Sequence, residues 1–80
     1  MTRLTLYARE LCHLCYDMER AVQACRSEYD FELEFVDIDR DPQLVARYGE
    51  SVPVLMAGDV VLCRSHWDRK GFDALFRKIQ

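Results

Sequence analysis

Cys12 and Cys15 stand three residues apart in the stretch "ELCHLC", a spacing that places two thiols one helical turn from each other if they open a helix. Such a pair has three uses: reversible dithiol–disulfide exchange, half of a metal site, or a structural bridge. Zinc would need two more ligands, and the sequence has no second C-x-x-C and no close histidine pair, so no metal site is expected. Exchange requires a division of labour. The thiolate is the attacking species, and its pKa falls at a helix N-terminus, where unpaired N–H groups and the helix dipole favour negative charge. On this reading Cys12 attacks a substrate disulfide and Cys15 resolves the mixed disulfide. Arg9, three residues before Cys12, and His13, directly after it, are the candidates for added positive charge.

The elements that must position this pair follow from periodicity. Arg3–Tyr7 alternates polar and apolar β-formers and is expected to be a strand. After Cys12, the residues Cys15, Met18, Val22, Cys25 and Tyr29 recur at steps of three and four, one buried face of a helix. Cys12 therefore falls at a strand-to-helix junction, and Cys15 begins the buried stripe. A second strand is expected from Phe31 through Ile38. Asp41 then caps a short helix that Pro42 opens and Gly49 stops, with Leu44, Val45 and Tyr48 on its apolar side. "VPVLM" and "VVLC" flank Ala57-Gly58-Asp59 as a hairpin. Phe72, Leu75, Phe76 and Ile79 stripe a last helix, which Ser65 or Asp68 would cap. The string is βαβαββα. A strand–helix–strand start implies a parallel pair with a right-handed crossover, and the hairpin adds an antiparallel pair. The fold class is α/β: a four-stranded mixed sheet flanked by helices. Ligands of such sheets gather beyond the strand ends where helices start, which is where Cys12 falls.

Eighty residues suit one small domain, 1–80, with no linker or repeat. The longest apolar runs fall far short of the roughly 20 residues that span a bilayer, so no membrane helix is expected. "MTRLTLYARE" lacks the apolar core of a secretory signal, which makes the cytoplasm the expected compartment. In that compartment close cysteine pairs are more often redox-active or metal-binding than structural. Acidic residues outnumber basic ones, 14 to 11, and the basic ones form no stripe, so nucleic-acid binding is not expected.

The order of a strand, a C-x-x-C at a helix start and Val52-Pro53 opening a later hairpin resembles the thioredoxin fold in its short glutaredoxin form. "CHLC" together with "VDIDRDPQLVARYG" and "SVPVL" carries the resemblance across essentially the whole chain. It is most similar to glutaredoxin-like proteins with a C-x-L-C site. The resemblance implies that Cys12 is the nucleophile and Cys15 the resolving cysteine, with Arg9 at the place of a basic residue before the nucleophile. It implies that Pro53 is a cis-proline beside the site, and that the backbone of Val52 pairs with a bound peptide or glutathione. Its expected function is thiol–disulfide exchange on protein or small-molecule disulfides, with no cofactor required and electrons from glutathione or a thioredoxin-type reductase. Two departures stand out. Where glutaredoxins place Gly-Gly and an acidic helix start, this chain has Cys63-Arg64-Ser65-His66-Trp67-Asp68, leaving Arg64 and Asp68 as candidate substrate contacts. The proline usual inside the pair is replaced by His13. The alternative function is a non-catalytic binding module that carries an iron–sulfur cluster or docks a partner.

The other chemistry-bearing residues have plainer readings. Cys25 lies about 15 Å along the helix from Cys15 and is expected in the core. Cys63 is expected to pack there too, with a third redox thiol as the alternative. His66 is expected at the surface, Trp67 over the core edge, and Tyr7 either in the core or rimming the site. Asp37, Asp39 and Asp41 are explained by a strand end and a cap, without a metal.

Overall fold

The computed structural model describes residues 2–79. Its elements are β1 (Thr2–Ala8), α1 (His13–Ala24) running into a 3-10 turn at Cys25–Ser27, β2 (Phe31–Asp37), a 3-10 turn at Ile38–Arg40, α2 (Pro42–Tyr48), β3 (Val54–Ala57), β4 (Val60–Arg64) and α3 (Arg69–Ile79). The strands form one sheet in the order β2-β1-β3-β4. β1 and β2 run parallel, from Thr2 opposite Phe31 to Ala8 opposite Asp37, while β3 is antiparallel to both β1 and β4. This is the mixed sheet expected from the element string.

Alternation along β1 sorts its side chains onto the two faces. Leu4, Leu6 and Ala8 face a core that includes Cys15, Met18 and Val22 of α1 and Phe72 and Phe76 of α3. Tyr7 belongs to the opposite face, packing against a smaller cluster of Ile38, Tyr48 and Val54 beneath α2. It stacks on Tyr48 with ring centroids 4.5 Å apart, so it supports the core instead of rimming the site. A register shift between Leu55 and Met56 puts Leu62 and Cys63 in the same cluster. The bulge thus gives β4 two consecutive inward residues where plain alternation allows one.

Two boundaries differ from the periodic reading, and a third is reached by another route. β2 stops at Asp37, because the Asp37 carboxylate accepts the Asp39 N–H at 3.0 Å and turns the chain; Ile38 is fully buried in the turn that follows. α1 tightens at Cys25, so Tyr29 lies beyond the helix, yet its ring still packs 4.6 Å from that of Phe76. Gly49 does stop α2, but at φ −52°, without the left-handed backbone usual for a glycine stop. The glycine answers a close approach instead: a β-carbon there would meet the Val45 carbonyl oxygen at 2.6 Å. In the hairpin, Gly58 does take positive φ, +58°. Among the described residues no helix is long and apolar enough to cross a membrane.

Candidate functional site

The end of β1 delivers the chain to α1 through Arg9-Glu10-Leu11-Cys12. Cys12 is the N-cap of α1 (φ −110°, ψ 105°), and its sulfur accepts the Cys15 N–H at 3.2 Å. A sulfur thus takes the place of the usual capping oxygen, on one of the helix's unpaired donors. Cys12 and Cys15 are joined as a disulfide, with Cα atoms 5.2 Å apart. Cys12 is half-buried and Cys15 fully buried. The approach to Cys12 is strained: Leu11 has φ +56° and is 95% exposed. Its N–H donates to the Tyr16 hydroxyl at 3.1 Å, which pins the loop to the first turn of α1.

Arg9 and His13, the two expected sources of positive charge, are engaged elsewhere. Arg9 donates to both carboxylate oxygens of Asp39, at 2.7 Å at the shortest, and to the Gly49 carbonyl at 3.3 Å. Its charge is therefore matched, and it acts as a brace between the loop before Cys12 and the end of α2. The same hydrogen bonds, reinforced by the opposite charge, hold the Asp39 carboxyl below the usual carboxylate range despite partial desolvation. His13 opens α1, exposed, with Nε2 3.9 Å from Asp17; its partner is one turn further along the helix.

On the other side of Cys12, the Val52–Pro53 bond is cis, as the resemblance implies, and Pro53 is buried. Val52, the residue expected to pair with a bound chain, has one of its two backbone groups engaged within the fold. Its N–H already donates to the Tyr48 carbonyl at 3.0 Å, so the backbone group left for a bound chain is its carbonyl. The loop after β4 is fastened to the same segment. The Ser65 N–H donates to the Pro53 carbonyl at 2.8 Å, its hydroxyl donates to the Ser51 carbonyl, and Arg64 donates to the Ser51 hydroxyl at 3.3 Å. Ser65 takes φ +71° to do this, so it is not the cap of α3. That role belongs to Asp68, whose Oδ1 accepts the Gly71 N–H at 3.1 Å. Asp68, exposed, thus caps its own helix through Oδ1. The roles of Ser51 and Ser65 were missed from sequence, where isolated serines carry no signal of a partner 14 residues away.

Cys25 and Cys63 are buried free thiols, and burial pushes the pKa of each up. Cys63 Sγ points at the Asp68 carbonyl, 3.6 Å away. Trp67 covers the core edge with its ring 5.1 Å from Phe72, and His66 is exposed. Asp37, Asp39 and Asp41 serve as turn, ion-pair and N-cap residues respectively.

Comparison with known proteins gives this arrangement its relatives. The family described as Glutaredoxin-like domain (DUF836) matches residues 3–80. No curated protein matches. Protein Ne2328 of Nitrosomonas europaea, known from a solution structure, is 36% identical with a TM-score of 0.83, over 92% of this chain and 89% of that one. A structural genomics target protein from X. campestris is 33% identical with a TM-score of 0.72, over 94% and 96% of the two chains. NrdH-redoxin from Escherichia coli, described as a glutaredoxin-like protein with a thioredoxin-like activity profile, is 28% identical with a TM-score of 0.62, over 94% and 92%.

Proposed function

The chain belongs to the glutaredoxin-like domain family, and from that premise we propose that it is a thiol–disulfide oxidoreductase working through Cys12 and Cys15. The observation that carries the reading is the position of Cys12: half-exposed, at the N-cap of α1, its sulfur already accepting a helix N–H, with a buried partner thiol one turn away. In the reduced state that N–H and the helix dipole favour the Cys12 thiolate. The thiolate attacks one sulfur of a substrate disulfide, forming a mixed disulfide and expelling the first substrate thiolate. Cys15 then attacks Cys12 Sγ, its proton passing to the departing second thiolate. The Cys12–Cys15 disulfide forms, and two electrons have moved to the substrate.

A dithiol donor must return two electrons and two protons to reopen the pair. We assign that part to a thioredoxin-type reductase in preference to glutathione. The groups that would hold glutathione's ends are engaged within the chain: Asp68 on Gly71, Arg64 on Ser51, and the Val52 N–H on Tyr48. The described activity profile of NrdH-redoxin points the same way. Cytoplasmic location fits a pair that cycles through the reduced state.

Cys12→Ser should abolish reduction of an insulin disulfide substrate, whereas Cys15→Ser should retain the first attack and accumulate a mixed disulfide visible by mass spectrometry. Full turnover by Cys12→Ser would overturn the assignment.

A further inference from the structure

A groove of about 470 Å³ opens between the loop that leads to Cys12 and the β2–α2 connection, where Tyr16 of α1, Phe35 of β2 and Leu44 of α2 come together. The large exposed hydrophobics among the described residues are Leu11, Leu14, Tyr16 and Phe35, at 95, 50, 42 and 43% exposure. Three of them surround the cysteine pair in sequence, and the fourth stands across the groove. Tyr16 and Phe35 line the groove itself, and exposed apolar side chains that share a groove mark a contact surface. Leu11 is held outward at a left-handed φ that a leucine rarely adopts.

Two further features say what fits there. β2 is an edge strand, paired only with β1, so its outer row of N–H and C=O groups is open to another extended chain. The charge of the lining is acidic once the Arg9–Asp39 pair is set aside, because Glu10, Asp37 and Asp41 face the single guanidinium of Arg40. Charge of one sign beside an apolar slot selects the opposite sign in the partner.

We infer that this groove docks an extended cationic segment of a partner protein, an apolar side chain entering between Tyr16 and Phe35 and flanking Lys or Arg residues meeting the acidic rim. The surface is distinct from the Val52–Pro53 segment. It lies on the β2 side of Cys12, whereas that segment leads into β3. A partner held in the groove leaves the cis-proline side open for the disulfide undergoing exchange. The inference requires no turnover, so it stands or falls separately from the proposed activity.

The test uses the oxidised wild-type protein and two fluorescein-labelled peptides of sequence Lys-Val-Trp-Val-Lys and Glu-Val-Trp-Val-Glu. At low salt the lysine peptide should bind about tenfold more tightly than the glutamate peptide, an advantage that shrinks with added salt. Amide shifts should centre on Tyr16, Phe35, Val36 and Leu44. Phe35→Ala should weaken both peptides, and Glu10→Lys, which leaves two acidic and two basic residues on the rim, should abolish the preference; both residues are exposed, so the fold is retained. Equal binding of the two peptides would overturn the inference. So would shifts centred on Val52 and Pro53, or a dimer by sedimentation that protects Phe35, which would make a second copy the occupant.

Discussion

Of the four cysteines, Cys12 alone keeps partial exposure, while Cys15, Cys25 and Cys63 are buried to 4% or less. Spacing alone separated the pair from the two lone thiols, because i and i+3 at a helix start is a local property. What spacing could not supply is the partner of each neighbouring charge. Arg9 meets Asp39 across 30 residues, and no local pattern announces that contact. The Leu11 backbone was equally hidden, since leucine carries no signal for positive φ. Its cost gives a residue-scale prediction: Leu11→Gly relieves a left-handed conformation worth roughly 1–2 kcal/mol in a side-chain-bearing residue, offset in part by the added freedom of the unfolded chain. The variant should unfold at higher urea concentration than the wild type. A lower midpoint would mean that Leu11 contributes packing that outweighs the strain.

Strands and helices here were legible because each keeps one side to the core, and that shows as a period of two or of three to four. Their ends were less so. Asp37 ends β2 one residue early through its own carboxylate, and β4 carries a bulge that places Leu62 and Cys63 together. The caps were legible in kind: Asp41 holds α2 as expected, while Asp68, not Ser65, holds α3. Asp68→Ala should therefore destabilise the chain by about 1 kcal/mol, measured by urea unfolding; an unchanged midpoint would show that α3 needs no cap. The brace from the β1–α1 loop to the β2–α2 connection gives a pH dependence. Since Arg9 depresses the Asp39 carboxyl in the folded state, the unfolded chain takes up that proton first as acid is added. The stabilisation is complete above about pH 4 and fades as pH falls through the depressed value. Asp39→Asn should lie below the wild type in stability at neutral pH and converge with it in acid. A constant gap across that range would mean that the pair's charge is irrelevant.

At the scale of the whole molecule, the sheet order places the N-cap of α1, the cis peptide of Val52–Pro53 and the loop after β4 at one end, though they are far apart in sequence. Buried Phe72 and Phe76 of α3 and Met18 and Val22 of α1 share one core against the sheet. The frame that holds Cys12 is therefore the same one that keeps Cys15 dry. Cys25 and Cys63 lie in that core as well, which gives them burial but no route to a substrate. The most direct test is a redox titration of the purified protein in defined thiol buffers, alkylating free thiols at each potential and mapping all four cysteines by mass spectrometry. Expected is one reversible two-electron couple confined to Cys12 and Cys15, with Cys25 and Cys63 reduced throughout. A pair that stays reduced until harsh oxidation, or a couple that draws in Cys63, would contradict the exchange site placed at the start of α1.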